Sequence, residues 1–375
     1  MLISNTIYKS YYIWWKNINK SVLFLIVILF GLGLFFSLVS TSLIASDKLN
    51  TNSYYFFVKH FIYIGIGVFF IIFFSSLAQD DLIKFSIILF LFFLFFLVLV
   101  PFFGTEIKGS KRWIEIPLLP RFQPVELLKP FLIVFVSNIL SNENKKNIYF
   151  KYLLSFFIIM PVVLLLILQP DIGQSLLIFL TWLSLIFVSG INILIFLLFF
   201  ILVLFLLAGM IFFSPDKFGY ILIRLKSFID PSSGNNYQSE KASEAIINGG
   251  FFGKGIGEGT LKNRVPEAHT DYIVSVISEE FGVIIILLLM IIFLFFAYQV
   301  FYKLYSESNN QIKLILVGSI SIILLQALIH IGVNIRLFPT TGMTLPYISY
   351  GGSSIVSTSI LSGIILNLTK RRINY

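Results

Sequence analysis

Apolar runs of about twenty residues, separated by short polar breaks, recur along most of this chain. A bilayer core of roughly 30 Å needs about 20 apolar residues in a helix. Runs of that size lie at about 22–45, 55–78, 83–103, 123–140, 152–168, 172–189, 193–213, 271–300, 313–336 and 350–368. They predict an all-α polytopic membrane protein with about ten transmembrane helices. An even number puts both termini on one side. The fifth and sixth runs meet at "LQPDIGQS", which is too short for a loop outside the membrane, so Pro170 marks a tight hairpin or re-entrant-like turn. Two longer breaks stand out. Residues 104–123 are basic and carry an interfacial Trp113. Residues 214–270 form the one long extracytoplasmic loop, and loops of that size are usually functional or disordered. This one holds "FGYILIRLKSFIDP" and "IINGGFFGKGIG", so short amphipathic helices lying on the membrane are expected there. The expected organisation is an N-terminal segment 1–21, one transmembrane domain 22–368 and a tail 369–375.

Composition sharpens this picture. The chain is 58% hydrophobic, only 12% charged and holds 43 Phe, which excludes a soluble globule. Residues 1–21 carry three lysines ahead of an apolar run too long for a signal peptide. There is no Cys, so disulfides are excluded. The lysines near the start and Lys370-Arg371-Arg372 at the end favour both termini in the cytoplasm. Basic residues are about as frequent on the opposite, outer side. An anionic substrate at that face would account for them; nucleic acid is not an expected partner.

Ionisable residues in or beside the spans are functional candidates by default, because burying them is costly. Glu126 and Lys129, three apart in "FQPVELLKP", share a helix face and can pair. They either tie helices together or hold a group in a polar cavity. Asp171 follows Pro170 at a helix start, where an acid also serves the helix dipole. The glycines of "GGFFGKGIGEG" lack a Walker or Rossmann context. They read as a flexible loop, with a small anion-binding nest around Lys254 as the alternative. "NIRLFPTTGMTLPYISYGGSS", with Ser353 near its end, is too irregular for a lipid-facing segment and reads as a cavity wall. In "RVPEAHTDYIVSVISEEFG", Thr270 is the expected N-cap of the eighth span and Asp271 sits in its first turn. Glu267 and His269 crowd the same turn, so Asp271, the main candidate, is either a capping acid or a general base whose pKa its neighbours raise and the helix N-terminus lowers. Glu279 and Glu280, deeper in the span, read as internal polar contacts.

Four stretches, "KGSKRWIEIPLLPRFQPVELLKP", "QPDIGQS", "PEAHTDYI" and "TTGMTLPYISYGGSS", together resemble the SEDS family (shape, elongation, division and sporulation), in family order and spacing. The wording is more like the division branch, FtsW, than the elongation branch, RodA. The resemblance implies a peptidoglycan glycosyltransferase that polymerises lipid II on the outer face of the bacterial cytoplasmic membrane, at the septum. It implies Asp271 as the essential acid acting on the acceptor sugar hydroxyl, with undecaprenyl diphosphate leaving. Glu126, Lys129 and Asp171 would line the same cavity, with Glu267 and His269 in support. Lys108, Lys111, Arg112, Lys254, Lys262, Arg264 and Ser353 become candidate diphosphate or sugar contacts. The implied partners are a class B penicillin-binding transpeptidase of the FtsI type and other divisome proteins. No cofactor is required by the residues, although a divalent cation, Mg or Mn, would suit a diphosphate leaving group. An elongation polymerase of the RodA kind and a lipid II flippase are the alternatives.

Overall fold

The computed structural model describes residues 12–49, 54–107, 109–117, 120–142, 147–230, 236–261 and 265–370, with side chains from 40 to 49 excepted. Lys108, Lys262 and Arg264 lie outside the described residues. The apolar runs become helices α1 (Lys20–Leu49), α2 (Tyr55–Ser76), α3 (Gln79–Phe103), α4 (Pro124–Ser141), α5 (Ile148–Leu168), α6 (Ile172–Val188) and α7 (Ile193–Phe213). The long loop holds α8 (Pro215–Ile229) and α9 (Tyr237–Gly249). Then follow α10 (Ile273–Phe281), α11 (Val283–Tyr305), α12 (Asn310–Asn334) and α13 (Gly352–Leu368). Among the described residues, eight helices are long and apolar enough to cross a membrane; α6 and α13 are apolar but shorter. The chain is therefore a polytopic membrane protein.

α4 and α12 are the most buried of the long apolar helices, while α7 buries only Phe199 and Val203. Phe205 on α7 is 74% exposed and Phe102 on α3 equally so. In water such surfaces would aggregate; against acyl chains they are at no disadvantage. α13 packs along α2 in the most extensive helix pair of the fold. Its buried residues include the small Ser354, Ser357, Thr358, Ser362 and Gly363, which let backbones approach closely. At the far end of α13, Asn367 donates to Phe74 O (2.9 Å) and Leu77 O (2.7 Å), satisfying carbonyls at the end of α2 that have no helical partner.

Three features depart from the sequence expectation. The fold is not purely helical: β1 (Thr105–Ile107) and β2 (Ser110–Trp113) pair antiparallel around Gly109, whose φ of +74° suits a tight turn. The eighth run is not one helix from 271; it breaks at Gly282 into α10 and α11. The glycine-rich stretch explains the break. Lys254 N and Gly255 N donate to Glu279 O and Glu280 O, both at 3.0 Å, and Val283 N donates to Gly250 O at 3.0 Å. Gly282 has φ +81°, and a Cβ there would sit 2.1 Å from Phe251 O. These glycines are thus a packing device, and the Lys254 amide is engaged by protein rather than facing a ligand. Gly282→Ala is expected to destabilise the protein by about 1–3 kcal/mol, combining a left-handed backbone penalty with the clash. A thermal melt in detergent matching wild type would sink that reading.

The third departure concerns Thr270. Residues 266–272 are turns, and α10 begins at Ile273 without a side-chain cap. Thr270 N, Asp271 N and Tyr272 N all converge on Glu267 O, at 3.0, 3.1 and 3.3 Å. The Thr270 hydroxyl bonds Glu267 as well, so it closes the turn instead of capping a helix. Glu267 itself is left-handed, at φ +52°, which costs a non-glycine residue about 1–2 kcal/mol.

Candidate active site

A cavity of about 630 Å³ opens where the β-ribbon, the α5–α6 hairpin, α8, the 266–272 turn and the segment before α13 meet. Arg112, Glu126, Glu267, Asp271 and Ser353 line it. Lys129 and Asp171 stand behind the wall, His269 turns away, and Lys111 and Lys254 are exposed and do not line it. Strand alternation explains the split between Lys111 and Arg112, since neighbours on β2 point to opposite faces.

The turn carrying Asp271 is held through its backbone. Tyr350 N donates to His269 O (3.1 Å), Ser349 Oγ to Thr270 O (2.8 Å) and Asn334 Nδ2 to Asp271 O (3.1 Å). Three consecutive carbonyls are thus anchored by side chains and backbone from α12 and the segment before α13. The Asn334 side chain is fixed in turn, accepting from Ser275 N and Oγ. His269 stacks on Phe56 of α2, with ring centroids 4.1 Å apart, which buries one side of the turn. Such anchoring through neighbouring groups holds the turn, and with it the base of the Asp271 side chain, in place. Burial, and then the Asp271 charge, push the Tyr272 hydroxyl well above the ordinary phenol range, so it stays neutral beside the acid.

Arg112 is the best-positioned cation. Its Nε donates to Gln169 O (3.1 Å), its Nη2 to Pro170 O, and its Nη1 lies 3.7 Å from Asp171 Oδ2. Asp171 also accepts from Gln123 Nε2 and caps α6 through Gln174 N. Its place is to brace the arginine and the hairpin. Glu126 and Lys129 form an ion pair at 2.8 Å, with Lys129 only 1% exposed. Lys129 Nζ also donates to Gln174 Oε1 and Gln326 Oε1, and Gln326 Nε2 donates to Thr344 O. A buried polar chain thus links the floor of the cavity to the wall before α13.

The sequence reading missed the contribution of α8. Lys217, Tyr220 and Arg224 fall at i, i+3 and i+7, on one helix face, and all three line the cavity. That spacing in "KFGYILIRLK" was the available signal. Arg224 Nη1 is tied to Thr340 O at 3.1 Å. Burial, and next the neighbouring Arg112, lower the Arg224 pKa from its usual value. Burial pushes Tyr220 up to about 12. Two guanidiniums facing one cavity repel each other, and an anion between them relieves that repulsion.

The model of the FtsW, RodA and SpoVE cell cycle proteins matches residues 20–374. The chain belongs to this family. It is 30% identical over 364 residues to a probable peptidoglycan glycosyltransferase FtsW of Caulobacter vibrioides, covering 96% of this chain and 91% of that protein. A similarly named protein of Buchnera aphidicola is 34% identical over 344 residues, 88% of this chain and 95% of the relative. A solved peptidoglycan synthase complex, described as coordinating polymerization and crosslinking, contains a chain with TM-score 0.77 and 25% identity, covering 94% of this chain and 97% of that one. The RodA of Thermus thermophilus shares the fold, at TM-score 0.68 and 24% identity, covering 94% of this chain and 96% of that one. In this FtsW, RodA and SpoVE member, the family resemblance and the cavity meet on the same side chains: Arg112, Glu126, Asp271 and Ser353.

Among the described residues, no three His, Asp or Glu side chains gather as a site built wholly from protein ligands would. Glu126, Glu267 and Asp271 line the cavity; a Mg or Mn ion carried by a diphosphate would need only one or two such carboxylates beside the phosphate oxygens.

Proposed function

We propose that this enzyme, of the peptidoglycan glycosyltransferase class, polymerises lipid II at the outer face of the cytoplasmic membrane, as the division polymerase of the FtsW kind. One observation carries the reading. At Gly342, whose φ of +69° presents bare backbone, the point a Cβ would occupy is 3.5 Å from Asp271 Oδ2 and 4.0 Å from Arg112 Nη1. A carboxylate and a guanidinium therefore share one stretch of cavity wall. In the proposed reaction, the Asp271 carboxylate takes the proton of the acceptor sugar 4-hydroxyl. The oxygen attacks C1 of the donor sugar and forms the β-1,4 bond. The C1–O bond to the diphosphate breaks, and undecaprenyl diphosphate leaves with the electron pair. Arg112, Arg224 and Lys217 bear on the charge that develops on that leaving group. Glu126, bound to Lys129, orients the floor.

Helix parity supports the sidedness. If α10 and α11 form one crossing and α6 and α13 each cross, ten crossings result. The junctions α3–α4, α5–α6, α7–α8 and α12–α13 then all fall on the face of the cavity, with both termini opposite. With the basic ends in the cytoplasm, the cavity faces outward, where lipid-linked substrate and an FtsI-type transpeptidase would meet it.

The test is purified protein with its partner transpeptidase and lipid II in detergent. Glycan polymer is expected. Micelles leave no second compartment, so polymer would come from catalysis and not from transport; no polymer under these conditions would overturn the proposal. In the same assay Arg224→Ala is expected to raise KM for lipid II about 10- to 100-fold, the value of one lost charge-assisted hydrogen bond. Unchanged KM and kcat would remove Arg224 from the substrate site.

A further inference from the structure

A second, smaller cavity of about 130 Å³ adjoins the first. Arg112, Arg224, Asp271 and Gly342 line both, so these four residues form the boundary between them. Its other walls include His330, Val333, Thr341 and Met343. Gly342 lies on that boundary with φ +69°, and a Cβ there would be in contact distance of Asp271 Oδ2 (3.5 Å) and Arg112 Nη1 (4.0 Å).

His330 and Thr341 give this chamber an unusual wall. His330 Nδ1 lies 2.7 Å from Met343 O. A carbonyl only accepts, so the proton sits on Nδ1 and Nε2 is left as a lone-pair acceptor. That Nε2 and the Thr341 hydroxyl are both buried, and neither has a hydrogen-bond partner among the described residues. An orphaned buried polar group costs about 1–3 kcal/mol. His330 and Thr341, the residues that carry these two unsatisfied atoms, both line the chamber. Val333 and Met343 are buried apolar residues of the same wall.

We propose that this chamber receives the 2-acetamido group of the amino sugar whose 4-hydroxyl meets Asp271. The inference rests on the proposed polymerase reading and adds to it a specificity subsite. An acetamido group offers one N–H, one C=O and one methyl. The chamber offers an acceptor, His330 Nε2, a donor, Thr341 Oγ1–H, and the apolar side chains of Val333 and Met343. Water competes for the chamber, whose walls also include Gln238, Tyr272 and Thr340; Val333 and Met343 add the apolar contact that a methyl group would use and water would not. On a pyranose ring the C2 substituent and the 4-hydroxyl both flank C3. A hydroxyl held at Asp271 therefore leaves the acetamido group within reach of a chamber that Asp271 also lines. His330 and Thr341 act here as specificity residues and take no part in bond making.

The experiment crosses two substrates with three proteins. Lipid-linked acceptors bearing either the native 2-acetamido or a 2-hydroxyl group are offered to wild type, Thr341→Val and His330→Phe, with lipid II blocked at its own 4-hydroxyl as donor. Thr341→Val is close to isosteric, and each variant's rate on the 2-hydroxyl acceptor reports whether it is folded and active. Wild type is expected to favour the acetamido acceptor by about tenfold or more in kcat/KM, since a site built to bond an N–H rejects an analogue lacking it. Each variant is expected to lose most of that preference, by slowing on the acetamido acceptor while its rate on the 2-hydroxyl acceptor holds. If both substrates slow equally in both variants, the chamber holds structural water only and the subsite is overturned, while the polymerase reading stands. If wild type makes no polymer from lipid II itself, the polymerase reading falls and the subsite with it.

Discussion

Replacing Lys129 with Met is expected to destabilise the protein by about 3–5 kcal/mol, the usual cost of breaking a buried ion pair from one side. The Glu126 carboxylate, 4% exposed, would lose the cation 2.8 Å away. Gln174 Oε1 and Gln326 Oε1 would lose their shared donor as well. The damage would spread from there, because Gln326 also holds Thr344 on the cavity wall. Glu126→Gln combined with Lys129→Met removes both charges at similar volume, and replacing a whole buried pair is often close to neutral. The double variant should therefore melt well above the single one in detergent. A single variant as stable as the double would show that the pair is not electrostatically coupled in the way the geometry requires.

Much of this architecture was legible in the order of apolar runs, because a bilayer imposes helix length directly on sequence. What the runs concealed was local. Gly282 sits inside "EEFGVIII" and vanished into an apolar stretch, although it is where α10 ends and α11 begins. The short ribbon around Gly109 is too brief to give a strand period. Thr270 had the composition of an N-cap, but three backbone amides had already turned onto Glu267 O. At the site, the motif residues Arg112, Glu126, Asp271 and Ser353 do line one cavity. Lys129 and Asp171 serve it from behind, and His269 serves it by stacking on Phe56. Lys254 reads differently in three dimensions, because its amide is consumed in holding α10. Arg224 was passed over because it lies in a segment read only for its amphipathic character. Its contact with the site depends on how α8 folds back over the α5–α6 hairpin, where Tyr220 donates to Ile167 O. No sequence period encodes such a contact.

The second large effect concerns Asp271 itself. Asparagine keeps the size of the side chain and cannot take a proton. The backbone anchors at His269, Thr270 and Asp271 come from Tyr350, Ser349 and Asn334 and do not involve the carboxylate. The turn should therefore survive Asp271→Asn, and the protein should keep its melting temperature and its binding to the proposed transpeptidase partner. Removing a positioned general base typically costs about 100- to 10,000-fold in rate. The direct measurement is glycan chain length and yield from lipid II, in detergent, for wild type and Asp271→Asn, each co-purified with the transpeptidase. Polymer from wild type and essentially none from an equally folded, equally partnered Asp271→Asn is the predicted result. Polymer from Asp271→Asn at a rate near that of wild type would contradict the assignment of Asp271 as the base.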